Sequence, residues 1–354
     1  MISLLFPRAL LYSNYKMGGG GVCMHLRTGR PMRGQSLEQL RAFLRICGLD
    51  YDEGVDFTAV LVEDDEIIAS GSLDGATLKC IAVSPMHQGE DLCARILTEL
   101  RREALDRGED RLLLFTKPGN EAMFRPFGFH PLVRTADCLL MEDRRDGLAR
   151  FLAGLERPES EVDTGCIVCN CNPFTNGHRW LIETAAAQVE ALHVFVLSER
   201  KSLFPPEVRL KLVREGCNDL KNVFVHETGP YMVSSATFPS YFIKDKARVD
   251  EIYCELDIRL FGERIAPALR IKRRFVGTEP ICPVTRFYNE QLKARLPEYG
   301  IALTEIPRRE CGGEAISASR VRALMEEGNL EAIRPLVPEI TYETIRRMLN
   351  ARDD

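Results

Sequence analysis

The chain has 354 residues, of which 45% are hydrophobic and 28% are charged, with a formal net charge of -5. This balance is typical of a folded globular protein and excludes a disordered chain, a collagen or a small disulfide-rich scaffold. The negative charge provides no basic field for nucleic-acid binding, and no apolar run approaches the roughly 18 residues that cross a bilayer. We therefore expect a cytoplasmic protein of two domains that binds neither nucleic acid nor membrane.

The first 35 residues lack a clear hydrophobic period and contain the glycine run Gly18–Gly21. They predict a flexible extension, 1–35. An α+β domain is predicted over 36–157, because helix and strand periods follow one another there without regular alternation. Its predicted elements are a helix over 36–47 with Ser36 as N-cap, strands at 57–62, 67–73 and 78–83 with a turn at Asp64-Asp65, a helix over 91–106, a strand at 112–116 and a short helix near 121.

A polar stretch with proline and glycine, 157–165, predicts a linker, so the second domain is expected over 158–354. Beyond the linker, strands and helices alternate, which predicts a doubly wound parallel sheet and an α/β fold. The predicted strands are 167–171, 192–197, 223–226, 274–276 and 301–306, and the predicted helices lie near 178–190, 206–219, 257–269, 284–295, 318–327 and 341–350.

The twelve cysteines are scattered, and most lie in apolar segments, which predicts reduced, buried thiols. Cys166 and Cys169 have the spacing of a metal or redox pair. However, they lie in a predicted strand, where this spacing points the two side chains to opposite faces. No second cysteine or histidine pair completes a zinc site, and we predict no metal site in the chain.

The segment after the first strand of the second domain carries the clearest chemistry. It reads Thr175-Asn176-Gly177-His178 and leads directly into a predicted helix. Glycine allows close backbone approach to a ligand, and a helix N-terminus favours phosphate. A strand-to-helix turn with a capping histidine would have the same local pattern. A second motif, Ile316-Ser317-Ala318-Ser319-Arg320-Val321-Arg322, starts another predicted helix near the end of the domain.

These two motifs resemble the T/HxGH and ISSTxxR signatures of the nucleotidylyltransferase superfamily, with Ala318 in place of the second serine. The second domain further resembles the citrate lyase ligases, and the resemblance covers about 36–350. Its supporting stretches are 202–205 with Arg209, 228–231, 234–242, 276–280, 284–289 and 305–308.

The first domain resembles the GNAT acetyltransferases. Residues 83–94 are similar to their coenzyme A pyrophosphate loop, and 120–129 to their later helix-turn-strand motif. Contacts to a coenzyme-A-like arm are therefore expected from Gln88, Gly89 and Asn120. Asp91 and Cys93 stand where that family has small residues, so we expect weak coenzyme A binding.

The resemblance implies that ATP and acetate give acetyl-adenylate and pyrophosphate. The thiol of a phosphoribosyl-dephospho-coenzyme A group on the citrate lyase acyl carrier subunit then takes the acetyl group and AMP leaves. In this scheme Mg²⁺ is held through the phosphates. His178 and Thr175 contact the α-phosphate, while Ser317, Ser319 and Arg322 hold the outer phosphates. Further residues expected at the ATP site are Asn172, Gly177, Arg320, Arg209 and Lys201, of which Asn172 orients the loop.

Other functions are compatible with the same motifs. One is an adenylyltransferase that places AMP on a phosphopantetheine or a mononucleotide; release of free AMP would argue against it. Another is a non-catalytic regulator that binds ATP and coenzyme A derivatives; turnover would argue against it. A GNAT acetyltransferase is disfavoured because it leaves the second domain unused.

Overall fold

A computed structural model of the chain describes residues 24–232, 238–280 and 282–353. The chain divides into two compact units. The first runs through Gly147 and takes back residues 239–252, and the second comprises 148–238 and 253–354. Within the described ranges, no helix combines the length and the apolar character needed to cross a membrane.

The first unit is built on a seven-stranded sheet. Its elements are β1 (His25–Gly29), α1 (Gly34–Ile46), β2 (Phe57–Glu63), β3 (Glu66–Asp74), β4 (Thr77–Val83), α2 (Leu92–Asp106), β5 (Leu113–Thr116), α3 (Glu121–Phe124), β6 (His130–Arg134) and β7 (Leu139–Glu142). The strand order is β1-β2-β3-β4-β5-β7-β6. Only the β4–β5 pair is parallel among these neighbours, and its register covers just two residue pairs.

Helix α2 packs closely on the sheet. A Cβ added to Gly71 of β3 would lie 2.5 Å from Ile96 and 2.8 Å from Leu100, so only glycine lets the helix come this near. The predicted turn between β2 and β3 is confirmed, with Asp64 and Asp65 both at positive φ, as a type I′ hairpin turn requires.

The predicted extension over 1–35 is wrong for residues 25–35. Strand β1 pairs antiparallel with β2, with Arg27 opposite Val60. Helix α1 begins at Gly34 with Arg33 as N-cap, and Ser36 lies inside its first turn. All five residues of β1 are half-buried, and its sequence does not alternate between apolar and polar residues. The strand is held by its pairing with β2, which its own sequence does not predict. Residues 1–23, including Gly18–Gly21, lie outside the described residues.

The second unit contains a five-stranded parallel sheet. The elements are α4 (Gly147–Ala153), β8 (Thr164–Cys169), α5 (Asn176–Ala186), β9 (Ala191–Val196), α6 (Pro206–Gly216), β10 (Val223–Glu227), α7 (Val249–Leu260), a π-helical turn (Phe261–Ile265), α8 (Ala266–Ala268), β11 (Arg273–Gly277), α9 (Pro283–Arg295), β12 (Ala302–Ile306), the short pair β13 (Glu310–Cys311) and β14 (Glu314–Ala315), α10 (Ala318–Glu326), α11 (Leu330–Ile333) and α12 (Glu339–Asp353). The strand order of the sheet is β10-β9-β8-β11-β12. This order confirms the predicted doubly wound α/β fold, and its reversal point lies between β8 and β11.

The boundary between the units differs from the predicted one at 157/158. The Arg157 guanidinium donates to the backbone carbonyls of Leu152, Ala153 and Ala268, which ties α4 and the polar stretch to the second unit. The partners of a long side chain such as Arg157 are set by the fold and cannot be inferred from composition. The boundary predicted from composition therefore lies ten residues after the observed one, which follows Gly147.

Residues 239–252 belong to the first unit although they follow β10 in the chain. The Asp50 amide donates to the Tyr241 carbonyl at 3.0 Å, and Arg248 pairs with Asp137 at 2.8 Å. The sequence assigned the whole stretch 234–242 to the second domain. Of this stretch, 234–237 lie outside the described residues.

Candidate active site

The Thr175–His178 segment forms a reciprocal cap at the start of α5. Thr175 is the N-cap, and its hydroxyl accepts a hydrogen bond from the His178 amide at 3.3 Å. In return, the Thr175 amide donates to Nδ1 of His178 at 3.1 Å, and the Thr175 hydroxyl lies 2.9 Å from the same nitrogen. Thr175 is fully buried, so the cap is rigid and sets the orientation of the imidazole.

This cap also determines the tautomer of His178. Because a backbone N–H donates to Nδ1, that nitrogen carries a lone pair, and the proton of the neutral ring is on Nε2. Burial lowers the pKa of His178 to about 4, and the positive charge of Arg308 contributes in the same direction. The ring is therefore neutral at pH 7 and has an Nε2–H group available as a donor.

The second motif packs directly against the first. A Cβ added to Gly177 would lie 3.1 Å from the carbonyl oxygen of Ile316, so the first turn of α5 touches the residue that precedes the N-cap of α10. Ser317 is that N-cap, and its hydroxyl accepts from the Arg320 amide at 3.1 Å. Two helix N-termini thus meet at the carboxyl edge of β8, which concentrates backbone donors suited to an anion.

Arg322 connects the two motifs through its guanidinium. It donates to the Asn172 carbonyl at 2.6 Å and to the Ser319 hydroxyl at 3.0 Å. The Asn172 side chain in turn accepts from the Phe204 amide at 3.0 Å, which links its loop to the segment before α6. Arg322 is half-buried and Ser319 is exposed, which leaves this side of the pair open to solvent.

Arg209 does not have the environment expected of a phosphate ligand. Its side chain is fully buried. It donates to the Phe204 carbonyl, to both oxygens of Asn170 and to the Glu199 carbonyl, at 2.5–2.9 Å. These bonds join the end of β8 to the loop after β9. Arg209 was predicted to contact ATP because a guanidinium binds phosphate well. In the structure its donors bind carbonyl oxygens instead.

The other two predicted basic residues lie on the surface. Lys201 is exposed in the turn before α6. Arg320 is half-buried, and its guanidinium lies 2.9 Å from the Glu314 carboxylate. Both residues stay predictions as ATP ligands.

Sequence reasoning missed Arg308 as a site residue. It follows β12 at the same carboxyl edge, donates through Nε to the Thr278 carbonyl at 2.7 Å, and pairs with the nearly buried Glu279 carboxylate. Its charge reaches His178, as the lowered pKa of that ring records. The available signal was its place just after a predicted strand of the parallel sheet, where ligand-binding residues collect.

A family model for the citrate lyase ligase C-terminal domain matches residues 164–345. A [citrate [pro-3S]-lyase] ligase from Klebsiella pneumoniae is 41% identical over 319 residues, which cover 88% of this chain and 93% of the relative. The chain belongs to the citrate lyase ligase family.

Two solved structures show more distant likeness. Escherichia coli ElaA covers 34% of this chain and 98% of its own, at 14% identity and a TM-score of 0.30. Thermotoga maritima TmcAL, in a crystal structure bound with alpha-thio ATP, covers 53% of this chain and 56% of its own, at 17% identity and a TM-score of 0.36.

In this family member, the loop predicted to contact a coenzyme-A-like arm is open to solvent. Gln88, Gly89 and Asp91 are exposed, and Gly89 has φ +93, a conformation that favours glycine. Asp91 occupies the N-cap of α2 but makes no capping bond with its side chain. Its carboxylate therefore stands at the helix N-terminus, where an anionic ligand would otherwise bind. Asn120 donates to the Thr116 hydroxyl at 2.9 Å.

No three His, Cys, Asp or Glu side chains come together as a possible metal site in the described ranges 24–232, 238–280 and 282–353. Cys166 is buried and lies 3.9 Å from the Arg274 guanidinium. Cys169 instead contacts Cys171. The two members of the Cys166-x-x-Cys169 spacing thus have different surroundings, consistent with the predicted opposite orientation.

Proposed function

We propose that this chain is the ligase that activates acetate with ATP and loads it onto the thiol of the citrate lyase acyl carrier subunit. The observation that carries the proposal is the contact between Gly177 and Ile316, because it joins both phosphate motifs in one site. Family membership supports the citrate lyase context. Acetate and the coenzyme-A-like prosthetic group of the carrier come from the sequence resemblance.

In the first step, an acetate oxygen attacks the α-phosphorus of ATP, and the bond to pyrophosphate breaks. Negative charge on the α-phosphate oxygens is stabilised by the Nε2–H of His178 and by the amides at the start of α5. Thr175 acts through His178 by holding its ring and tautomer. A neutral donor with a fixed direction needs no reorganisation as the charge develops.

The outer phosphates are held by Ser317, Ser319 and Arg322 at the start of α10. The guanidinium of Arg322 already has two fixed oxygen partners, so it is oriented before ATP binds. Its permanent charge and planar donors suit a departing pyrophosphate. Mg²⁺ enters as the ion carried on the ATP phosphates. Because Gly177 has no side chain, the ligand can approach the backbone at the start of α5.

In the second step, the carrier thiol attacks the acetyl carbon of acetyl-adenylate and AMP leaves. The GNAT-like unit presents the prosthetic arm through Gln88, Gly89 and Asn120 without transferring acetyl groups itself. The negative charge of Asp91 weakens binding of free coenzyme A, whereas an arm attached to a docked carrier gains from its high effective concentration. We place the reaction in the cytoplasm, where ATP is supplied.

The test is analysis of the nucleotide products. The full chain is incubated with MgATP, with and without acetate, and the products are separated by chromatography. AMP and pyrophosphate that appear only with acetate are expected, together with acetate-dependent exchange of labelled pyrophosphate into ATP in the absence of carrier. ADP and phosphate as the main products would overturn the proposal. A product in which AMP is joined through a pyrophosphate bond to a phosphopantetheine or mononucleotide acceptor would favour the adenylyltransferase alternative.

A further inference from the structure

Two cysteines at the end of β8 lie against each other beside the proposed ATP site. Cys169 is the last residue of β8, and Cys171 follows two residues later. Their sulfur atoms are 3.2 Å apart. Cys169 is half-buried, and its sulfur also lies 3.7 Å from the Phe195 carbonyl oxygen, whereas Cys171 is fully buried. Neither thiol takes part in the proposed reaction.

We propose that Cys169 and Cys171 form a reversible disulfide on exposure to a peroxide, and that this bond switches off the proposed ATP site. A disulfide is about 2.05 Å long, so the sulfur atoms need to approach by only about 1.1 Å. The modification site itself does not depend on the proposed function. Its effect on activity does, and the two are measured separately below.

The chemistry needs one peroxide and no other reactant. The Cys169 thiolate attacks a peroxide oxygen, the O–O bond breaks, and Cys169 becomes a sulfenic acid as one water leaves. The Cys171 sulfur then attacks the Cys169 sulfur, the S–O bond breaks, and a second water leaves. Two thiols lose two protons and two electrons in total, and one hydrogen peroxide becomes two waters. A dithiol reductant reverses the reaction by exchange.

The disulfide would disturb the proposed ATP site because the residues between and just after the two cysteines make hydrogen bonds there. The residue between the cysteines is Asn170, whose two oxygens accept from the buried Arg209. The residue after them is Asn172, whose carbonyl accepts from Arg322 at 2.6 Å. Cys171 itself has φ +51, so the segment has little room to adjust. Pulling the sulfurs together displaces both asparagines, and with them the loop that leads to Thr175.

The neighbouring thiols are poorly placed to compete for this bond. Cys166 is buried beside Arg274, and Cys217 is buried beside Arg179, whereas the Cys171 sulfur lies directly against that of Cys169. Cys282 is the thiol to control for, because it is exposed and hydrogen bonds from Thr285 lower its pKa. A peroxide will therefore oxidise Cys282 as well, and Cys282→Ser removes that reaction.

The experiment uses the full-length Cys282→Ser protein, treated with hydrogen peroxide and then with an alkylating reagent. Mass spectrometry of the peptide spanning 169–171 is expected to show a loss of 2 Da and protection of both cysteines from alkylation. Acetate-dependent pyrophosphate exchange is expected to fall at least about tenfold, since a displacement near 1 Å can cost about 100-fold. Dithiothreitol should restore both signals, and Cys169→Ser combined with Cys282→Ser should keep its exchange rate under peroxide.

Each result decides a part of the proposal. Unlinked or over-oxidised Cys169 and Cys171 would overturn the modification site, and this measurement on the folded protein requires no variant at Cys169. A linked pair with unchanged exchange would overturn the switch. If reduced protein shows no exchange at all, the proposed function fails, while the 2 Da loss still reports on the disulfide.

Discussion

The double role of His178 can be separated by substitution. Its Nδ1 accepts from the Thr175 amide at 3.1 Å and caps α5, while Nε2 is the proposed donor to the α-phosphate. In His178→Asn, the side-chain oxygen can take the place of Nδ1, so the cap is kept and the outer nitrogen is lost. In His178→Ala, both are lost.

The magnitudes follow from these contacts. Loss of one donor to a developing oxyanion costs about 2.7–4 kcal/mol, or about 100- to 1000-fold in rate. Both variants should therefore lose that factor in acetate-dependent pyrophosphate exchange. His178→Ala keeps the bond from the residue 178 amide to the Thr175 hydroxyl but leaves the buried Thr175 amide without its acceptor. A buried donor left unpaired costs about 1–3 kcal/mol of stability, so only His178→Ala should unfold at lower urea concentration. ATP affinity should change little in either variant, because the start of α10 still holds the outer phosphates.

The assay is labelled pyrophosphate exchange into ATP at pH 7, together with urea unfolding of each protein. His178→Gln is the matched control, since its side-chain nitrogen can reach the position of Nε2 and should recover part of the exchange rate without restoring the cap. A folded His178→Asn protein with exchange within about fivefold of wild type would remove Nε2 from the mechanism, because one lost donor is worth far more than that.

Three further outcomes are expected. In Arg322→Lys, the single ammonium cannot keep both oxygen partners at 2.6 and 3.0 Å, so pyrophosphate exchange should fall about 10- to 100-fold. The control Arg346→Lys changes an arginine in an exposed ion pair and should leave the exchange rate unchanged. Equal exchange rates in the two variants would refute the role of Arg322. Burial lowers the pKa of His193 to about 4 and of His226 to about 3, so the unfolded chain gains protons first. The free energy of unfolding should thus fall as pH drops from about 6.5 to 4, and urea titrations that agree at pH 7 and pH 5 would contradict this. Gly89→Val strains a backbone at φ +93 and should impair acetyl transfer to the carrier thiol but not pyrophosphate exchange, which the two assays run in parallel would reveal.

The sequence determined the parts of this protein that depend on neighbouring residues. The alternation of strand and helix patterns predicted all five strands of the parallel sheet. The inner strand β9 has the near-continuous apolar sequence of a strand buried on both faces. The helix starts after Thr175 and at Ser317 could be predicted because the signals for a helix start lie within a few residues. The resemblance of these two motifs and of further stretches to known families predicted the family, which the comparisons confirm.

Tertiary structure decided which distant groups meet. Arg209 was predicted to bind phosphate, yet it is buried against carbonyl oxygens at the end of β8 and in the loop after β9. Strand β1 and residues 239–252 joined the first unit through pairing and ion pairs that have no local signature. The charge of Arg308 acts on His178 because parallel strands end at one edge of the sheet. Long polar side chains have many possible partners, and chain topology selects among them, so no local pattern can record the choice.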